Sequence, residues 1–135
     1  MTTRPPDDLL IEASVDSPRI DFRFSAHQLS IKGESYPENA AAFYRDMNER
    51  TRAYLGSLDA GVTVTIDVAL SYFNSSSTKV LFGLFNAFEE ACARGIKVVL
   101  NWHHDAEDDT IEEFGAELHD EYPSLEFHDL PFDSR

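Results

Sequence analysis

Val62-Thr63-Val64-Thr65-Ile66-Asp67-Val68-Ala69-Leu70 runs without a break into Ser71-Tyr72-Phe73-Asn74-Ser75-Ser76-Ser77-Thr78-Lys79. The first nine residues are rich in β-branched side chains, which suits a central strand. The next nine are mostly polar and carry four consecutive hydroxyls. Beyond them Val80, Leu81, Leu84, Phe85, Phe88 and Cys92 recur at helical spacing. They predict an amphipathic helix over about 77–94. Gly95 stands where a left-handed residue ends a helix. A buried strand that enters a helix through a polar turn is the repeating piece of an α/β fold.

The same pattern extends both ways. Downstream, Lys97 to Trp102 reads as another buried strand. Asp109 with Glu112 resembles a capping box, and Ile111, Phe114, Leu118 and Tyr122 mark a third helix. Leu125, Phe127 and His128 suggest a short last strand. Upstream, Ser35 and Glu38 read as the capping box of a long helix over 36–58. Its apolar stripe is Phe43, Met47, Tyr54, Leu55 and Leu58. Before it, Ile20, Phe22 and Phe24, then Leu29 and Ile31, alternate with polar residues and predict a hairpin joined near Ser25–His27. Residues 1–18 are polar and proline-containing, a loose arm or an edge strand through Leu9–Ile11. The predicted order is ββαβαβαβ, an α/β fold with a mixed sheet, an N-terminal hairpin and about three helices. Crossover connections make the later strands parallel. The turns Glu34–Asn39, Tyr72–Thr78 and Asn101–Asp109 then meet at the carboxyl edge of the sheet, where α/β folds place their sites.

Composition narrows the function. The chain has 135 residues, enough for one core without staples. The single cysteine, Cys92, excludes an internal disulfide and falls on an apolar stripe as a core residue. No apolar run approaches the roughly 18 residues that cross a bilayer. The N-terminus lacks a signal-peptide core, so a cytoplasmic location and no membrane insertion are expected. The formal net charge is −14, and from Val98 to Ser134 there is no Lys or Arg. Such a surface repels a phosphate backbone, so nucleic acid is not an expected partner. It serves solubility or selects a basic partner.

The hydroxyl turn has two readings. In one, a single Ser caps the helix and the rest fill the turn. In the other, it is a phosphorylation site. A phosphoryl group adds about −1.5 to −2 charge. At a helix N-terminus it meets free N–H groups and the positive end of the dipole, so the fold tolerates it. A partner docked at that edge would not.

Lys32-Gly33-Glu34-Ser35-Tyr36-Pro37-Glu38-Asn39, Leu70-Ser71-Tyr72-Phe73-Asn74-Ser75-Ser76 and Val99-Leu100-Asn101-Trp102 resemble the SiaC-type family of bacterial regulatory phosphoproteins. The resemblance runs from about Arg19 through the third helix. It implies a STAS-like fold, with residues 19–135 as one regulatory domain behind the 1–18 segment. It also implies a mechanism. A Ser/Thr protein kinase modifies the hydroxyl after Asn74, and a PP2C-type phosphatase removes the phosphate. The unphosphorylated form binds and activates a diguanylate cyclase, raising cyclic-di-GMP and favouring biofilm formation. By position the acceptor is Ser75, where the family pattern has Thr; Ser76 and Ser77 are the alternatives. The STAS-like fold also admits an anti-sigma-factor antagonist in a partner-switching pathway.

Other constellations carry less. Tyr36, Glu38 and Asn39 are explained by a helix start, yet project from a turn expected beside Ser75, as do Tyr72 and Asn74; all five are candidate partner contacts. His103 and Asp105 are candidates for the rim of the same edge. His103 and His104 are adjacent on a strand and point to opposite faces, which argues against a shared metal ion. The Ser75 turn has no Gly-x-Ser-x-Gly elbow, and the chain has no glycine-rich phosphate loop. No catalytic residue and no cofactor are expected. Trp102 reads as a packing residue.

Overall fold

The computed structural model describes residues 6–133. Its strands are β1 (Leu9–Ile11), β2 (Arg19–Arg23), β3 (Gln28–Ser35), β4 (Thr63–Phe73), β5 (Lys97–Asp105) and β6 (Glu126–Phe132). Its helices are α1 (Ala40–Ser57), α2 (Ser75–Ala93) and α3 (Asp109–Glu121). The six strands form one sheet in chain order. β1, β2 and β3 pair antiparallel, and β3 through β6 pair parallel. The α/β class, the mixed sheet, the hairpin and the three helices are those the periodicity predicts. Leu9–Ile11 add an edge strand ahead of the hairpin.

Every crossover steps to the next strand in the same direction. Right-handed crossovers of that kind stack all the helices on one face. The strands record it. In β4, Val64, Ile66, Val68 and Leu70 are buried, while Thr65, Asp67 and Ala69 between them are half-exposed. In β5, Val98, Leu100, Trp102 and His104 are buried, and Val99, Asn101 and His103 are half-exposed. These strands, read from the sequence as central and buried, are therefore covered on one face only.

The element ends differ from expectation in an instructive way. α1 begins at Ala40, and its cap is Asn39, whose side chain accepts from the Ala42 N–H at 3.1 Å. Ser35 is not a cap; it is the last residue of β3, paired with Phe73. Pro37 restricts Tyr36 to extended backbone, so the helix waits until the proline is passed. α2 begins at Ser75, capped by Asn74 rather than by a serine. α3 is capped by Asp108, not Asp109. β5 continues through His103 and His104 to Asp105. The left-handed residue at Gly95 is present, with φ of 92°.

Trp102 is a core residue. Its Nε1 donates to the Ile111 carbonyl at 2.9 Å, and its ring stacks on Phe114. α3 passes so close that a Cβ on Gly115 would lie 2.5 Å from the indole.

Candidate functional site

The carboxyl ends of β3 and β4 are joined by hydrogen bonds around Ser35. Its carbonyl oxygen accepts from the Asn74 N–H at 3.0 Å and from the Ser77 hydroxyl at 3.0 Å. Its own hydroxyl lies 2.7 Å from Ser77 Oγ and 2.6 Å from the Tyr44 hydroxyl. Ser35, Tyr44 and Ser77 are all fully buried. Burial pushes the Tyr44 phenol up to about 12, so it stays protonated and able to donate.

Asn74 shapes the turn from the other side. Its side-chain oxygen accepts from the Ser77 N–H at 2.9 Å. Its carbonyl accepts from both the N–H and the hydroxyl of Thr78, at 2.9 and 3.1 Å. The four consecutive hydroxyls thus divide. Ser77 and Thr78 are spent on the fold. Ser75 and Ser76 are exposed, and neither hydroxyl has a protein partner among the described residues.

Beside this turn lies an exposed aromatic pair. Tyr36 and Tyr72 meet edge to face with centroids 5.8 Å apart, and they remain 38% and 51% exposed. The Tyr36 hydroxyl donates to the Val15 carbonyl at 2.7 Å, and its N–H to the Asp16 carbonyl at 2.8 Å. Val15 itself is 83% exposed and extends the apolar patch. Sequence reasoning missed Val15, because nothing local distinguishes it in a polar arm; only the fold brings it to Tyr36. Glu38 and Asn39 are exposed on the same segment, with the Asn39 side chain committed to the α1 cap.

His103 and Asp105 occupy different ground. His103 Nε2 bonds Asp67 Oδ1 at 2.8 Å on the uncovered face, where the Asn101 side chain donates to the same oxygen at 3.1 Å. His104 points the other way, as adjacent strand residues must. Its Nε2 lies 2.7 Å from Asp129 Oδ1 and its Nδ1 2.9 Å from the Asp105 carbonyl. A groove of about 690 Å³ includes Ser71, His103, His104, Asp105 and Phe132 in its lining. Tyr36, Tyr72, Asn74 and Ser75 are not part of that lining. The structure therefore gathers Tyr36, Tyr72, Asn74 and Ser75 around Ser35 and places His103 and Asp105 apart, in a groove that Ser71 of β4 also lines. Among the described residues no group of three or more His, Cys, Asp or Glu is arranged to hold a metal ion, and no helix is long and apolar enough to cross a membrane.

The profile of the SiaC family regulatory phosphoproteins matches residues 11–132. The chain belongs to that family. It is 30% identical over 125 residues to an uncharacterized protein of Pseudomonas aeruginosa (strain UCBPP-PA14), covering 90% of this chain and 98% of that one. Its fold matches a chain in the crystal structure of the diguanylate cyclase SiaD in complex with its activator SiaC from P. aeruginosa. The TM-score is 0.85 at 29% identity, over 93% of this chain and 100% of the other. The crystal structure of apo-SiaC from the same organism matches with a TM-score of 0.84 at 28% identity, over 94% and 100%. The exposed serines and the aromatic pair gathered around Ser35 lie within the residues that the family profile matches.

Proposed function

We propose that this chain is a phosphorylation-switched, non-enzymatic adaptor whose unphosphorylated form binds and activates a diguanylate cyclase. One observation carries the reading: a free, exposed serine opens α2 beside an exposed Tyr36–Tyr72 pair, in a family that includes the SiaC that activates SiaD. A Ser/Thr protein kinase modifies Ser75, and a PP2C-type phosphatase reverses it, all in the cytoplasm. Ser76 is equally exposed and is the nearest alternative. Ser77 ranks last, because a kinase would have to open the first turn of α2 to reach it.

Charge arithmetic favours a local effect. A phosphoryl group adds about −2 to a chain already at −14, a small change in total field. Screening confines it to roughly 8–10 Å. The modification thus acts on whatever touches the Tyr36–Tyr72 patch, by setting a hydrated dianion at the margin of an apolar contact.

Intact-mass measurement with site mapping on protein purified from its host, with and without phosphatase treatment, tests the switch. A single phosphate on Ser75 is expected. A chain left unmodified across growth conditions, or modified only far from this turn, would overturn it. A pull-down with unmodified protein tests the partner: a diguanylate cyclase is expected. Recovery of an anti-sigma factor instead would move the chain to a partner-switching pathway.

A further inference from the structure

Ser35 reads from the sequence as the cap of α1, and it does not cap that helix. We infer that Ser35 is a positioning residue that couples the first turn of α2 to α1 through a buried hydroxyl relay, Ser77–Ser35–Tyr44. Its meaning as a regulatory link rests on the reading of Ser75 as the phosphate acceptor.

Counting protons gives the relay a direction. Three hydroxyls supply three protons. Ser77 Oγ donates to the Ser35 carbonyl at 3.0 Å. Ser35 Oγ, 2.7 Å away, then donates to Ser77 Oγ, and Tyr44, at 2.6 Å, donates to Ser35 Oγ. Each proton is used once and each hydroxyl is satisfied. Because all three side chains are fully buried, a displaced hydroxyl finds no bulk water as a substitute, and leaving it unpaired is costly. The link spans three elements: Ser77 in α2, Ser35 at the end of β3, and Tyr44 in α1.

A negative charge at position 75 acts on one end of this chain. The amides of the first helical turn lack intrahelical partners, and that of Ser77 is held by Asn74 Oδ1. An anionic group on residue 75 competes with Asn74 for the same turn of N–H groups. Any shift of the Ser77 backbone carries its hydroxyl, and the Ser35 hydroxyl and Tyr44 must follow to stay bonded. The start of α1, next to Tyr36, thereby senses the state of the acceptor turn.

The test uses the full chain and needs no kinase. Amide and tyrosine-ring NMR spectra are recorded for Ser75→Asp against the unsubstituted protein, then for the same pair in Tyr44→Phe and Ser35→Ala backgrounds. The expected result is a set of shifts in Ser76–Thr78 in every background. Shifts in the amides of residues 40–44 are expected in the natural background and lost in the other two; the Tyr44 ring shift is compared only between the natural and Ser35→Ala backgrounds. Equal α1 shifts in all backgrounds, or none in the natural one, would overturn the relay. Should Ser35→Ala fail to fold, Tyr44→Phe decides alone, since it removes a single hydroxyl. Because the charge is introduced by substitution, a relay that fails here leaves the phosphoswitch standing, and a Ser75 that is never phosphorylated leaves the relay standing.

Discussion

Two regions share the carboxyl edge of one sheet and are built on opposite principles. Around Ser35, the ends of β3 and β4 are tied by neutral groups: hydroxyls, a carbonyl and a side-chain amide. Toward the end of β5, the ties are between ionisable groups, His103 with Asp67 of β4 and His104 with Asp129 of β6. The first region leaves tyrosines and two serine hydroxyls facing water; the second welds α3 onto Trp102 through Gly115. A charge can be added to the neutral region without disturbing an existing ion pair. The second region already has its ionisable groups in hydrogen bonds to one another. The comparison teaches where a switch can sit in this fold: where polar groups are satisfied without charge and apolar surface is still exposed.

The largest effect expected is at the welded side. Gly115→Ala puts a methyl 2.5 Å from the indole of Trp102 and is expected to cost about 3 kcal/mol, as overpacking of a tight contact does. Denaturant unfolding measures it. Partner binding by the fraction still folded is expected to be unchanged; a binding loss as large as at the tyrosine pair would break the division between the regions.

Next comes the tyrosine pair itself. Tyr72→Ala removes a half-exposed ring and is expected to change stability by less than about 1 kcal/mol. The cost expected in binding to the proposed cyclase partner is about 2 kcal/mol, roughly thirtyfold in Kd, as for a central aromatic contact. Calorimetric titration reads both unmodified and substituted protein, and equal affinities would remove Tyr72 from the interface.

A smaller effect is pH-dependent. Burial alone pushes the His104 ring down, but its bonds to the Asp105 carbonyl and Asp129, with the charges of Asp129 and Glu112, outweigh that and raise its pKa. The native state therefore holds this proton more tightly than the unfolded chain does. The contribution is fully present below about pH 6.5, the ordinary histidine value, and is lost as pH rises through the folded value. Asp129→Asn is expected to lower stability by about 1 kcal/mol at low pH, discounted for a half-exposed carboxylate, and to flatten the fall at high pH. An unchanged slope in thermal melts would show that His104 is not the group responsible.

The smallest effect is at Ser75. Its side chain is exposed and caps nothing, so Ser75→Ala is expected to leave stability within about 0.5 kcal/mol. A larger loss would mean that Ser75 belongs to the fold as Ser77 does.

The elements were legible because periodicity survives folding: the stripe from Val80 to Cys92 is α2, and the alternation from Ile20 to Ile31 is the hairpin. Their ends were not, because caps are decided by contacts beyond the local window. Ser35 has the sequence of a helix start, yet β3 holds it beside Phe73 and Pro37 delays the helix. The single covered face was also hidden, since half-exposed Thr65, Asp67 and Ala69 lie between β-branched neighbours that look buried. At the site, Tyr36, Tyr72, Asn74 and Ser75 stand together because two parallel strands end side by side, which element order alone implies. The split of the hydroxyls into exposed and spent pairs depends on Ser35, which receives Ser77 across from β3, a contact no local pattern foretells. His103 and Asp105 lie apart because β5 runs on past Trp102 and carries them onto the uncovered face.

The most direct measurement is the affinity of the purified chain for the proposed partner, a diguanylate cyclase from its host, unmodified and quantitatively phosphorylated at Ser75, at matched ionic strength. Tight binding by the unmodified form and a loss of at least about tenfold on phosphorylation, or about 1.4 kcal/mol, is the predicted result. Equal affinity of the two forms would contradict the account.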